Sequence, residues 1–209
     1  MNIRLYDTLI FDLGEVIVPL SFEKVITQLN LLSGKDGNTL LQLITQSDTL
    51  QLFETGKMSE SEFLSEINGL LGTQLETQAF EKIWNDMLLE IPQAKINLLQ
   101  NLKQSHQVMI MSNTNSIHQR CFDSMVAGQT GGKSMADLVH HAYYSHVMGL
   151  RKPQTEVFSQ IIREHKLDPS RTLFLDDRAE NVEAARQTGI NGIVISHPDR
   201  VMDIFNGHA

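Results

Sequence analysis

Thr8-Leu9-Ile10-Phe11-Asp12-Leu13-Gly14-Glu15-Val16 decides how this chain is read. An apolar run of strand length leads into a carboxylate, and a glycine follows two residues later. Open α/β sheets present reactive groups at the C-terminal ends of buried strands, in the crevice outside the sheet. Alone, the stretch is equally a core strand with an Asp in its loop. Later strands decide between these readings, by whether they bring matching groups to the same edge.

The 209 residues allow one domain, or one domain with a sizeable insertion. Hydrophobic residues make up 41% and charged residues 20%, the balance of an ordinary globular chain. The net charge of −8 argues against a nucleic-acid surface, which needs a cationic footprint. It leaves room for a small phosphorylated substrate, because a bound metal supplies positive charge locally. A single cysteine, Cys121, excludes an intramolecular disulfide and suits a reducing compartment. No run approaches the length of a transmembrane helix, and MNIRLYDT lacks the apolar stretch of a signal peptide. A cytoplasmic protein with no membrane or nucleic-acid partner, monomeric or homodimeric, is expected.

Residues 7–12 read as the first strand. From Pro19 to Ile91 the pattern is helical. Phe22, Val25, Ile26 and Leu29 share one face with Ser21 as cap, and Leu40, Leu41, Leu43 and Ile44 mark a second helix ahead of Asp48. Ser59 with Glu62 has the form of a capping box, and Gly72 supplies a stop. Phe80, Ile83, Trp84, Met87 and Leu88 form another apolar face. Pro92 then opens a helix leading into the strand Gln107–Met111. A helix runs from Ile117 to about Met125, and the glycine-rich stretch Ala127–Ser134 reads as a mobile loop. His141–Tyr144, Thr172–Leu175 and Gly192–Ile195 read as strands separated by helices. This alternation predicts an α/β fold, with a mostly parallel sheet and helices on both faces.

In such a sheet Asp12, Ser112 and Asp176-Asp177 all stand just past strand ends on one side, and Lys152 lies in a loop there. Carboxylates gathered in one crevice repel unless a cation lies among them. Hard oxygen ligands favour Mg²⁺, which also bridges to phosphate. Phosphoryl transfer to an aspartate fits this set. Asp12 would attack phosphorus, Mg²⁺ would offset the repulsion between anions, and Ser112 and Lys152 would hold the phosphoryl oxygens.

Four stretches, in order, carry a family resemblance: Phe11-Asp12-Leu13-Gly14-Glu15-Val16, Met109-Ile110-Met111-Ser112-Asn113-Thr114-Asn115, Gly149-Leu150-Arg151-Lys152-Pro153, and Leu173-Phe174-Leu175-Asp176-Asp177-Arg178-Ala179-Glu180-Asn181-Val182. Together they resemble the haloacid dehalogenase (HAD) superfamily on its phosphatase side. They are most similar to the branch holding glucose-1-phosphate phosphatases and the N-terminal phosphatase domain of soluble epoxide hydrolases. The resemblance implies a Rossmann-like, HAD-type core over residues 1–18 and 92–209, with a small α-helical cap over 19–91. It implies Asp12 as nucleophile and metal ligand, Gly14 as a carbonyl ligand, and Asp177, with Asp176 beside it, as further Mg²⁺ ligands. It implies phosphate binding by Ser112, Asn113 and Lys152, and support of the metal loop by Asn181.

One departure stands out. The family's general acid and base is an Asp two residues after the nucleophile, and here that residue is Gly14. Glu15 is a weaker substitute, because neighbouring strand residues face opposite ways. Glu54 and Lys57, in Phe53-Glu54-Thr55-Gly56-Lys57, read as a helix-end turn rather than as site residues. Trp84, Met87 and Phe80 read as core of the helical segment rather than substrate wall. Two other functions stay open: a metal-independent 2-haloacid dehalogenase, which resembles this chain in lacking that second Asp, and a non-catalytic binding or regulatory protein of the same fold.

Overall fold

The computed structural model describes residues 3–206. Five strands form one sheet: β1 (Thr8–Phe11), β2 (Gln107–Ser112), β3 (His141–Tyr144), β4 (Thr172–Asp176) and β5 (Asn191–Val194). Their order is β3-β2-β1-β4-β5, and every pairing is parallel. Phe11 lies beside Ile110 on one side and Leu175 on the other, so Asp12, the next residue, comes level with Asp176 at the end of β4. The chain moves outward from β1 to β3 on one side, then returns to build β4 and β5 on the other. The direction reverses at β1, and such a reversal opens a crevice at the strand ends.

Between β1 and β2 the chain builds five helices: α1 (Glu23–Ser33), α2 (Gly37–Thr45), α3 (Asp48–Glu54), α4 (Glu60–Leu71) and α5 (Thr77–Asn85). The Ser59–Glu62 capping box forms at the head of α4, and Gly72 closes it in the left-handed conformation. Ser21 does not cap α1, whose first turn has no side-chain cap. Its N–H instead donates to the Met87 carbonyl at 2.8 Å, because the chain here runs against the segment after α5. The sequence reading also passed over α3, although Ser47 caps it by accepting from the Leu50 N–H at 3.1 Å. These helices close around Val25, Leu40, Ile44, Phe53, Phe63, Phe80 and Trp84. Phe63 is their hub, with ring centroids 4.3 Å from Phe53, 5.8 Å from Phe80 and 5.6 Å from Trp84.

The remaining helices are α6 (Gln93–Leu102), α7 (Ser116–Thr130), α8 (Ser145–Met148), α9 (Thr155–His165), α10 (Ala179–Gln187) and α11 (Arg200–Asn206). Strand residues alternate between two layers, as the pleat requires. Leu9, Phe11, Val108, Ile110 and Leu175 pack with α6, α7 and α11. Ile10, Met109, Met111 and Phe174 pack with α9 and α10. Both faces are covered, which is why the strands read as unbroken apolar runs. The stretch from Ala127 is not a mobile loop. α7 continues through it to Thr130, Gly128 sits inside the helix, and Gly131 ends it at φ 72°. Burial of Val126 and Met135 on either side outweighs the roughly 1 kcal/mol that a helical glycine costs. No helix among the described residues is long and apolar enough to cross a membrane.

Phe63 is fully buried at the aromatic hub. Phe63→Ala is expected to lower unfolding stability by about 3–5 kcal/mol, as large-to-small core changes do. Urea denaturation followed by Trp84 fluorescence reads this directly, and a shift under 1 kcal/mol would contradict the packing described (roughly the level of a surface change).

Candidate active site

Asp12 follows β1 immediately, and its N–H still donates to the Leu175 carbonyl at 2.9 Å. Strand pairing thus holds the residue that carries the carboxylate. Leu13 then begins a tight turn: the N–H groups of Ile17 and Val18 both donate to its carbonyl, each at 2.8 Å. Glu15 stands in this turn at φ 55°, a conformation unfavourable for a residue with a Cβ. Its Oε1 accepts from the Leu20 N–H at 2.6 Å and holds it there. Strand alternation therefore does not govern Glu15. Lys95, buried on α6, donates from Nζ to the Val16 carbonyl at 2.7 Å and ties the turn to the layer below.

A cavity of about 420 Å³ lies over the strand ends, lined by Asp12, Gly14, Ser112, Asn113, Lys152 and Asp177, among others. The Lys152 ammonium is buried between two carboxylates, 2.8 Å from Asp12 Oδ1 and 2.6 Å from Asp176 Oδ2. It also stands 5.3 Å above the Phe174 ring. Burial opposes its charge, but Asp12 and Asp176 prevail and raise its pKa. Burial pushes the Asp12 carboxyl up to about 7; Lys152 pulls the other way, and Asp176 and Asp177 add to the rise. Asp177 is also raised, by burial first and by Asp176 second.

Asp176 does not line the cavity; it is fully buried. Besides Lys152, it accepts from Asn181 Nδ2 at 2.9 and 3.0 Å and from the Arg178 N–H at 2.8 Å, at the head of α10. One carboxylate oxygen from each of Asp12, Asp176 and Asp177 lies within 4.8 Å of the others. Three carboxylates face one ammonium there, and a divalent cation is what such a set accommodates. The Oδ1 of Asn181 is buried with no protein partner, and Asn181 also lines the cavity. It offers an acceptor to the water shell that Mg²⁺ keeps. The residues present fit the ion.

Asn113 spends its side chain on Lys152. Its Nδ2 donates to the Lys152 carbonyl at 2.9 Å, and its Oδ1 accepts from the Lys152 N–H at 2.9 Å. Asn113 thus fixes the backbone that carries the ammonium.

Leu20, Leu50, Trp84, Met87 and Leu88 bring an apolar wall to the cavity from the helical segment. Trp84 and Met87 therefore belong to the cavity as well as to the core, while Phe80 serves the core alone. Glu54 lines the cavity too, contrary to the sequence reading, and is in ion-pair contact with Arg151 at 3.1 Å. Lys57 is exposed and does not line it. His118, at the start of α7, stacks on Trp84 at 5.5 Å between centroids. Its Nε2 lies 3.2 Å from the Trp84 carbonyl, and its Nδ1 lies 3.3 Å from Asn115 Nδ2. Neutral imidazole with the proton on Nε2 satisfies both contacts.

The model of the haloacid dehalogenase-like hydrolases matches residues 6–189. The chain belongs to that family. It is a hydrolase, similar to a D-ribitol-5-phosphate phosphatase of Bacteroides thetaiotaomicron, at 29% identity over 87% of each chain. It is similar at 27% to a sesquiterpene phosphatase of Aspergillus oryzae, covering 88% of this chain and 87% of that one. Among solved structures it superposes on a HAD-family enzyme from Bacteroides thetaiotaomicron in complex with magnesium and inorganic phosphate. The TM-score is 0.84 at 25% identity, covering 96% of this hydrolase and 99% of that enzyme.

Burial lowers the His118 pKa from its ordinary 6.5 to about 4, against the pull of the Trp84 carbonyl. Between those values the unfolded chain binds a proton on this ring and the folded chain does not. Stability is therefore full above pH 6.5 and declines as pH falls toward 4. The loss attributable to this ring is on the order of 2–3 kcal/mol. Urea midpoints of the wild type and His118→Gln, measured between pH 7 and 4.5, should converge as pH falls; parallel curves would contradict a neutral His118.

Proposed function

We propose that this hydrolase is a Mg²⁺-dependent phosphatase of a small phosphorylated metabolite, a sugar or polyol phosphate in particular, acting through an aspartyl-phosphate on Asp12. The observation that carries the reading is the set of three carboxylates beside a buried ammonium at the end of the central strand. The similarity to a ribitol-phosphate phosphatase supports the substrate class.

Asp12, Asp177, Asp176 and the Gly14 carbonyl would hold the ion. Bound there, Mg²⁺ supplies charge neutralisation between an anionic nucleophile and an anionic ester. A carboxylate oxygen of Asp12 attacks phosphorus, the ester oxygen departs with its bonding electrons, and water then hydrolyses the acyl phosphate. Lys152 keeps the nucleophile charged and oriented, and faces the phosphoryl oxygens with Ser112. Asp176, tied to Lys152, Asn181 and the Arg178 N–H, fixes the ammonium as well as offering the ion an oxygen. Residues 19–91 act as a cap over a core of residues 1–18 and 92–209, and their apolar wall keeps water from the leaving group.

Without a cation, Asp176 and Asp177 would repel an anionic substrate, so the metal-independent dehalogenase is the weaker reading. A screen of sugar, polyol and aryl phosphates with Mg²⁺ should return hydrolysis that excess chelator abolishes. Asp12→Asn should lower kcat by at least about 10⁴-fold, as loss of a nucleophile does. Full activity in excess chelator, on phosphates or on 2-haloacids, would sink the proposal.

A further inference from the structure

Gly14 leaves the proposed reaction without its usual proton donor, although the backbone does not exclude a side chain there. Gly14 has no positive φ, and a Cβ on it would meet only Leu20 Cδ1, at 3.4 Å. The donor's place is vacant by sequence and not by strain, and the cavity wall offers other acids. Five residues there carry a carboxyl or an imidazole: Asp12, Glu15, Glu54, His118 and Asp177. Asp12 is the nucleophile and Asp177 faces the proposed ion. Glu15 is committed to the Leu20 N–H. His118 is neutral, with both ring nitrogens in contact. Glu54 remains.

We infer that Glu54, from the end of α3, is the general acid that protonates the leaving oxygen and then the general base for the hydrolytic water. This rests on the phosphatase reading. An in-line displacement puts the leaving oxygen on the side of phosphorus away from the attacking carboxylate. Asp12 enters the cavity from the sheet edge, whereas Glu54 enters from the helical segment, the side to which the leaving group is directed. Glu54 is partly buried, and desolvation raises its pKa against the pull of Arg151, Arg178 and Lys152, so it keeps a proton further toward neutrality than an exposed Glu. Its Oε2 lies 3.1 Å from Arg151 yet makes no hydrogen bond. Oε2 is closed off from the cavity, so Oε1 is the oxygen that would serve a ligand, with Arg151 at hand to stabilise the carboxylate formed by proton loss. The helix end is held in place. Gly56, at φ 67°, brings α3 against α8 so closely that a Cβ would lie 2.2 Å from the His146 carbonyl oxygen.

The step balances. As the Asp12–phosphorus bond forms, the phosphorus–oxygen bond to the leaving group breaks and its electron pair stays on that oxygen. The Glu54 proton moves to this oxygen and releases the alcohol. Water then attacks phosphorus and gives its proton to Glu54, the bond between phosphorus and the Asp12 oxygen breaks with its electron pair returning to the carboxylate, and inorganic phosphate leaves with both carboxyl groups restored.

A general acid matters only when the leaving group needs a proton, and that separates this role from a structural one. In rapid-mixing measurements Glu54→Gln should slow release of the alcohol from a polyol phosphate by about 10²–10⁴-fold, while the first-turnover release of p-nitrophenol from p-nitrophenyl phosphate stays within about threefold, because only the later hydrolytic step needs the base. Protection of the same variant against thermal unfolding by Mg²⁺ with inorganic phosphate should match the wild type. Equal losses on both esters, or lost protection, would overturn the inference and leave the phosphatase reading standing. Should the variant fail to fold, the wild type still decides: its log kcat must fall only gently as the pKa of the leaving alcohol rises, and a steep fall would overturn the inference. A wild type that hydrolyses no ester overturns both.

Discussion

The Lys152 ammonium sits 2% exposed between Asp12 and Asp176, and the rest of the site is arranged around that contact. Burying a charge costs several kcal/mol unless close partners repay it. Lys152 has two carboxylates, which repay it, and they lie on different strands. Asp12 follows β1 and Asp176 ends β4. The ammonium therefore joins the strand ends across the sheet and also charges the cavity. Asn113, from the end of β2, holds the Lys152 backbone through both side-chain polar atoms. Three neighbouring strands thus meet on one residue of a loop.

That arrangement leaves an electrostatic surplus. One ammonium cannot neutralise three carboxylates: burial first, and the neighbouring carboxylates after it, raise the pKa values of Asp12 and Asp177. A pocket built only for stability would not hold this surplus, because an apolar replacement of similar volume would serve as well or better. The surplus makes sense where a divalent cation completes the set. The turn after Asp12 shows similar expenditure: a positive φ at Glu15 and a buried lysine, Lys95, spent on a single carbonyl.

The sheet was legible in the sequence because its strands are short apolar runs covered on both faces. Asp12, Ser112 and Asp176-Asp177 were legible because each follows such a run. Legibility failed where a charge sits on an apolar face. Lys95 shares its helical face with Leu98, Leu99 and Leu102, at i+3, i+4 and i+7, and Glu54 follows Leu50 and Phe53 at the same spacing. Both fall in the buried phase of their helices. A charged side chain is ordinarily taken to mark the solvent side, so the phase was there to be read and the residue type concealed it. Ala127–Ser134 failed for a different reason: glycine content argues for a loop, whereas Val126 and Met135 supply the burial that decides the matter.

The helical segment and the sheet are not independent supports for the cavity. Ile117, on α7, packs into the apolar cluster of the segment, and His118 stacks on Trp84. Both residues follow within six positions of Ser112, whose loop forms the opposite wall. Arg120 adds contacts of 2.6 Å to Glu60 and 2.7 Å to Glu81, but these lie at the surface, where such pairs contribute 0–1 kcal/mol each (about the median). The apolar seam carries the load instead. Trp84 belongs both to that seam and to the cavity wall, and its buried Nε1 has no protein partner. A substitution that loosens the seam therefore disturbs the apolar wall of the cavity and the Ser112 loop together. The two walls of the cavity are thus joined through the first turns of α7, although their residues come from different parts of the chain.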